Sequence, residues 1–260
     1  MSFLIDIWYL YGDMALVFVM LIAFIFAIYF AIVPHEVAHG LVAKWNGDLT
    51  AQVNGRLTMN PMSHFDLIGF AMLVTMGFGY AKPVPVNPYN FKVPRRGLFT
   101  VAIAGVTYNL IAAVVSSFFI ALMTKFMPTD LNMYALVGTD YLFVLFYYFF
   151  RLSLSVNIML FLFNILPLGP LDGFKIIEAY ASRDNKFVEF LRRYGTYILI
   201  ALFVLRFVAY FLERNTPFAW VSYVDVLGLY LGFFSHWVGG GILSLFTMMF
   251  GLGPIGFAYM

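Results

Sequence analysis

The sequence predicts an all-α membrane protein that crosses the bilayer about five to six times. Of its 260 residues, 63% are hydrophobic and only 11% are charged, whereas a soluble domain has roughly 45–50% apolar and about 25% charged residues. Apolar stretches also recur at lengths that match the roughly 20 residues needed to span a bilayer. The chain has too little polar surface to coat a water-soluble globule, so most of it must lie in lipid.

Five stretches are long and apolar enough to be spans, and they lie at 14–33, 98–126, 141–166, 194–212 and 226–250. We expect the first helix to continue to Trp45, and a short extra helix near 174–181. We interpret residues 1–260 as one membrane-embedded domain, with a catalytic core at about 14–182 and accessory helices at about 194–250.

The apolar segment 67–80 is short and contains three glycines. Most Lys and Arg residues outside the predicted spans lie in 44–66, 82–97 and 168–193, which the positive-inside rule places in the cytoplasm. A full crossing by 67–80 would put the first two of these regions on opposite sides. We therefore interpret it as a re-entrant or β-like segment shielded from lipid. Short strands at 52–58 and 84–86 are a further possibility.

The end of the first helix carries the sequence His35-Glu36-Val37-Ala38-His39. Residues four apart lie on one helical face, so both imidazoles can bind one zinc ion while Glu36 acts as general base. Zinc lowers the pKa of bound water towards about 7. Ionisable groups at this position in a lipid-length helix are expensive, which favours a metal site over incidental polar residues at a helix end.

A catalytic zinc usually takes three protein ligands, and Asp172 is the best third candidate. It follows Pro167 and Pro170, which break the preceding helix and offer the carboxylate from a turn. The predicted topology puts this turn on the same side as the histidines. Asp172 is equally suited to be a turn residue or the N-cap of the next helix.

The motif at 35–39, together with Asn164-x-x-Pro167 leading to Asp172-Gly173, resembles the site-2 protease family of intramembrane metalloproteases. The stretches RLTMNP at 56–61, GYAKPVPVN at 79–87 and Ala104-Gly105 with Asn109 are similar to its compact bacterial and archaeal branch without PDZ or CBS domains. The resemblance implies zinc bound by His35, His39 and Asp172, a catalytic Glu36, and a place in a bacterial or archaeal cell membrane.

Three further polar residues are candidates for binding substrate or stabilising an oxyanion: Asn109, Asn164 and His64. The resemblance implies that both asparagines lie near the catalytic centre. Hydrogen bonding between helices would also explain them. His64 is a possible alternative metal ligand, an oxyanion donor, a partner of another ligand, or a structural residue of a polar loop.

The leading functional hypothesis is an intramembrane zinc endopeptidase that cuts transmembrane or membrane-proximal segments of membrane proteins or peptides. Its active site is expected to face the cytoplasm. The alternatives are a membrane metalloenzyme that hydrolyses a lipid or small amphiphile, and a non-catalytic scaffold on a protease fold. The lipid bilayer is an expected partner, and the net charge of +2 indicates no nucleic-acid partner.

Overall fold

The computed structural model describes residues 12–64, 66, 69, 81–127, 132–182, 184–215, 223–253 and 255–256. In these residues the α-helices are α1 (Met14–Trp45), α2 (Thr50–Val53), α3 (Pro94–Lys125), α4 (Asp140–Asn164), α5 (Asp172–Tyr180), α6 (Lys186–Asn215) and α7 (Val226–Met249). Five of them, α1, α3, α4, α6 and α7, are long and apolar enough to cross a membrane. The all-helical fold, the five spans and the short helix after the fourth helix are therefore confirmed.

The loops differ from the expectation of short strands. Residues 50–53 are helical, and 82–87 form a loop without a strand. Pro83 and Pro85 lack main-chain N–H groups, which removes two of the donors that a strand would need there. The predicted re-entrant segment 67–80 lies outside the described residues, apart from Gly69.

Helices α1, α3 and α4 pack against one another and form the centre of the bundle. On the packed face of α1, Ala23, Ala27 and Ala31 are completely buried. Small side chains let helices approach closely in a membrane, where packing rather than the hydrophobic effect drives association. This close approach places the end of α1 directly against α3.

The start of α1 is fixed by Asp13. Its Oδ1 accepts a hydrogen bond of 2.8 Å from the N–H of Ala15, and its Oδ2 accepts one of 2.7 Å from the Tyr141 hydroxyl of α4. The hydrogen bond from Tyr141, followed by those from the main chain, holds the pKa of the Asp13 carboxyl below its usual value. Asp13 therefore caps α1 as an anion and joins it to α4.

Helix α5 returns to the bundle through the turn that follows α4. It packs against α3 and α6, and an apolar cluster that includes Leu171 and Phe174 anchors it to α6. A side chain at Gly173 would overlap with the main-chain oxygens of Ile165 and Leu166. Only glycine allows this close approach, which sets the position of the neighbouring Asp172.

Candidate metal centre

The structure brings His35, His39 and Asp172 into one buried group. The two histidine Nε2 atoms lie 3.1 Å apart. Asp172 Oδ2 lies 3.0 Å from Nε2 of His39 and 3.5 Å from Nε2 of His35. The exposed fractions of the three residues are only 6%, 7% and 4%, so one ion placed among these atoms would be shielded from solvent.

The hydrogen-bond partners of the two imidazoles determine which nitrogens carry hydrogen. His39 Nδ1 lies 2.7 Å from the carbonyl oxygen of Val101, and His35 Nδ1 lies 2.6 Å from Oδ1 of Asn109. Both partners are acceptors, so each neutral imidazole donates from Nδ1 and keeps a lone pair on Nε2. This is the orientation that a metal-binding histidine adopts when its other nitrogen donates to a carbonyl group.

Three acceptor atoms therefore converge with no hydrogen to place between them. Asp172 Oδ2 is buried and has no hydrogen-bond partner, which would be costly unless another group satisfies it. A cation among the two nitrogens and the oxygen satisfies all three at once. Two imidazoles and a carboxylate form a ligand set that suits a catalytic zinc ion and leaves a coordination position open.

Helix α3 contributes its backbone to the site at Gly105. A side chain at this position would overlap with the rings of both His35 and His39. The glycine therefore lets α3 lie directly against the two imidazoles, and this packing holds the rings towards Asp172. Sequence reasoning noted Gly105 only as part of a family motif, because its role depends on the distance between two helices.

The second carboxylate oxygen of Asp172 is paired with a cation. Lys175 Nζ lies 2.9 Å from Oδ1, which leaves Oδ2 directed at the histidines. Burial raises the pKa of Asp172, whereas the Lys175 ammonium lowers it. The contact with Lys175 favours the ionised carboxylate, which is available as a ligand. The role of Lys175 was not predicted from the sequence.

Glu36 lies half-buried between the two histidines of the motif, and its carboxylate is oriented by a loop. Its Oε2 accepts a hydrogen bond of 2.9 Å from the main-chain N–H of Val84. This places the loop 82–87 beside the metal centre. The sequence suggested a short strand at 84–86 and did not predict the contact of this loop with Glu36.

The same loop is fixed at its far end by Asp48, which is buried. The Asp48 carboxylate accepts hydrogen bonds from the N–H of Asn87 at 2.7 Å and from the side chain of Asn90 at 2.8 Å. Burial raises the pKa of Asp48, but these bonds and those from Thr50 lower it below its usual value. At its near end, the main-chain N–H of Lys82 donates a hydrogen bond to the carbonyl oxygen of His64. The carbonyl oxygen of Lys82 accepts a hydrogen bond from the Arg56 guanidinium. The loop is thus tied down on both sides of Val84.

The three residues proposed to bind substrate or an oxyanion have different partners in the structure. Asn109 contacts His35 directly, as described above. The Asn164 amide donates a hydrogen bond of 3.1 Å to the carbonyl oxygen of Leu160 in its own helix. His64 is fully buried, and its Nε2 donates a hydrogen bond of 2.8 Å to the carbonyl oxygen of Thr58. Among the described residues, neither Asn164 nor His64 belongs to the metal-binding group, and their roles towards substrate remain predictions.

One buried residue of this region was missed in the sequence. Asn157 of α4 is completely buried, and its Oδ1 accepts a hydrogen bond of 2.8 Å from Asn109. Its signal was the same as that of Asn164, a polar amide within an apolar span. Only the packing of α4 against α3 distinguishes the two.

Helices that span a membrane and a buried His-Glu-x-x-His site with a nearby carboxylate define a membrane metalloprotease. The chain matches the model of peptidase family M50 over residues 23–205 and belongs to that family. It is 39% identical over 179 residues to the protein named "Putative zinc metalloprotease YwhC" of Bacillus subtilis (strain 168), covering 68% of this chain and 78% of that protein. No solved structure matches the chain significantly.

The predicted resemblance to the site-2 protease family is therefore confirmed. The protein is an integral membrane metallopeptidase, and its cofactor is zinc. The three grouped side chains on α1 and α5 fit that ion.

Proposed function

We propose that the protein is an intramembrane zinc endopeptidase in which His35, His39 and Asp172 hold the metal and Glu36 is the general base. The observation that carries the proposal is the convergence of Nε2, Nε2 and Oδ2 within 3.5 Å of one another at the end of a lipid-length helix. A buried group of three acceptors has no structural use without a cation.

The zinc ion, when bound, supplies Lewis-acid chemistry, because it makes water more acidic and polarises a carbonyl group. Glu36 takes a proton from the attacking water and delivers it to the leaving amine. The Val84 N–H keeps one carboxylate oxygen occupied, so the other remains directed for proton transfer. Asn109 and the Val101 carbonyl keep the two imidazoles in the tautomer that binds metal.

The substrates we propose are transmembrane or membrane-proximal segments of proteins and peptides. Support comes from the position of the metal centre, which is built on α1 and backed by α3, both long enough to span the bilayer. A substrate helix has its peptide bonds hydrogen-bonded internally and must unwind before Glu36 and the metal can act on it.

We further propose that the active site faces the cytoplasm of a bacterial or archaeal cell. The metal centre lies in the C-terminal third of α1, against the first half of α3 and at the start of α5. The exposed residues Lys44, Lys82, Arg95 and Arg96 belong to the same end of these helices, and basic residues at span ends favour the cytoplasmic side. They are also suited to contact anionic lipid headgroups. We assign the whole chain to one protease domain, with α6 and α7 as accessory helices.

The test compares purified wild-type protein with Glu36→Gln in proteoliposomes that contain a mixture of single-span membrane proteins. Cleavage is read by mass spectrometry of new peptide ends. Loss of the base should slow cleavage by about 10²–10⁴-fold, while zinc content stays at the wild-type level. Glu189→Gln, which changes an exposed carboxylate of α6, is the matched control and should cleave normally.

Cleavage by Glu36→Gln at the wild-type rate would exclude Glu36 as the base. If the wild-type protein released fatty acids or other lipid products from the same vesicles and no peptides, the endopeptidase assignment would be replaced by lipid hydrolysis.

A further inference from the structure

A line of buried polar side chains crosses three helices and ends at the metal centre. It begins at Ser153 and Asn157 on α4, continues through Asn109 on α3, and reaches His35 on α1. We propose that Asn157 is a positioning residue for metal binding, which acts through Asn109 to fix the tautomer of His35. The inference rests on the proposed function only in taking His35 as a zinc ligand.

The hydrogen bonds of Asn109 fix the orientation of its amide. Its Nδ2 donates to the carbonyl of Ala31 at 3.0 Å and to Oδ1 of Asn157 at 2.8 Å. Both hydrogens of the amide group are therefore used, and Oδ1 is directed at His35 Nδ1 at a distance of 2.6 Å. A carbonyl-type oxygen at this position forces the imidazole hydrogen onto Nδ1.

The orientation of Asn157 is fixed in the same way, one step further from the metal. Its Nδ2 donates to the main-chain carbonyl of Ser153 at 2.8 Å and to the hydroxyl of that residue at 3.2 Å. Its Oδ1 is left as the acceptor for Asn109. The main-chain carbonyls of Ser153 and Ala31 cannot act as donors, so they set the direction of every hydrogen bond in the line.

A reversed Asn109 amide would present an N–H to His35 and move the imidazole hydrogen to Nε2, the atom that faces Asp172. The same rotation would bring Oδ1 against two other oxygens, those of Ala31 and Asn157. Asn109 and Asn157 are both completely buried, so water cannot relieve these contacts. Removing the Asn157 oxygen takes away one of the two contacts that prevent the reversal.

A purely structural role for Asn157 would have a different signature. Hydrogen bonds between helices hold α3 and α4 together, and their loss would lower thermal stability without changing the zinc affinity of the folded protein. A positioning role changes the zinc affinity itself. Changes in residues that orient a metal ligand typically weaken binding by about 10–100-fold.

The test measures the zinc dissociation constant of the full chain in detergent by competition with a chelator. We expect Asn157→Leu to weaken zinc binding about tenfold and Asn109→Leu by about 10–100-fold. If Asn157 acts through Asn109, the double variant should bind zinc no more weakly than Asn109→Leu alone. Ser117→Ala is the matched control, because the Ser117 hydroxyl is also buried on α3 but has no hydrogen-bond partner.

Wild-type zinc affinity in Asn157→Leu would overturn the inference, and so would losses in the double variant equal to the product of the two single losses. If Asn157→Leu does not fold, Ser153→Ala replaces it. This variant removes one partner of Asn157 and should weaken zinc binding in the same direction by a smaller factor, whereas unchanged affinity would overturn the inference.

The zinc measurement does not depend on proteolysis. Weakened binding in Asn157→Leu together with a wild-type protein that cuts no peptides would support this inference and contradict the proposed function. Normal cleavage by the wild-type protein, together with unchanged zinc affinity in Asn157→Leu, would support the proposed function and contradict this inference.

Discussion

Two regions of the bundle are both built from helices apolar enough to cross a membrane, but they use polar residues differently. In α1, α3 and α4 the polar side chains nearest the metal centre are buried and bonded to one another, as Asn109 and Asn157 illustrate. Between α6 and the residue that caps the start of α7, Arg206 and Asp225 form an ion pair, and their side chains are 41% and 21% exposed. The buried pair leads to the metal centre, whereas the partly exposed pair joins two helices.

Packing distinguishes α6 from the central helices. In the most apolar part of α1, 39% of the residues are buried, compared with 17% in α6. The family match also ends at residue 205, within α6. Helix α6 is thus less tightly packed than α1, whereas α7 is buried to the same extent as α3, at 33%. Substitutions in the two regions are therefore expected to have different effects on zinc binding and stability.

The largest difference in zinc binding is expected between alanine substitutions of two glycines, Gly105 and Gly241. Gly105→Ala places a methyl group where the rings of His35 and His39 lie, whereas Gly241→Ala in α7 has no atom within 4 Å of the new methyl group. Gly105→Ala should weaken zinc binding by about 100-fold or more and abolish cleavage. Gly241→Ala should bind zinc normally and be slightly more stable, by up to about 1 kcal/mol, because alanine favours a helix.

Both variants are compared by zinc titration and by thermal unfolding in the same detergent. Equal effects of the two substitutions would show that the central helices are not packed around the imidazoles as described.

An intermediate effect is expected at the loop that orients Glu36. Val84→Pro removes the N–H that binds the carboxylate, and a hydrogen bond to a charged group contributes about 1.5–3 kcal/mol. Cleavage should slow about tenfold while zinc content stays unchanged. Val84→Ala keeps the N–H and should remain close to the wild-type rate, so a comparable loss in both variants would assign the effect to the side chain.

The smallest effect is expected at the ion pair between α6 and α7. Arg206→Met should leave zinc content and cleavage unchanged and should lower the free energy of unfolding by no more than about 1 kcal/mol, because the pair is partly exposed. Thermal unfolding of Arg206→Met, Asp225→Asn and the double variant gives the coupling between them. A large loss of cleavage in either single variant would mean that the accessory helices contribute to catalysis.

The parts of the molecule that local sequence determines could be predicted. The spans follow from the length of apolar stretches, and the pairing of His35 with His39 follows from the helical period. The third member of the group, Asp172, was a candidate from its turn and the predicted topology, and the resemblance to a family favoured it over a helix cap.

The parts that depend on contacts between helices could not be predicted. Asn157 and Asn164 are the same residue in the same helix, and only the packing against α3 brings one of them into the line that ends at His35. The fit of Gly105 against two rings and the bond from Val84 to Glu36 are likewise distances across the fold. Strands at 52–58 and 84–86 were an incorrect expectation, because residues 50–53 are helical and Pro83 and Pro85 remove donors from the loop 82–87.

The most direct test of the account is X-ray absorption at the zinc edge of the purified full chain, for wild-type protein and Asp172→Ala. The account predicts one zinc per wild-type chain, bound by two imidazole nitrogens and a carboxylate oxygen, and loss of most of the zinc from Asp172→Ala. An Asp172→Ala protein that keeps one zinc per chain with an unchanged spectrum would contradict it.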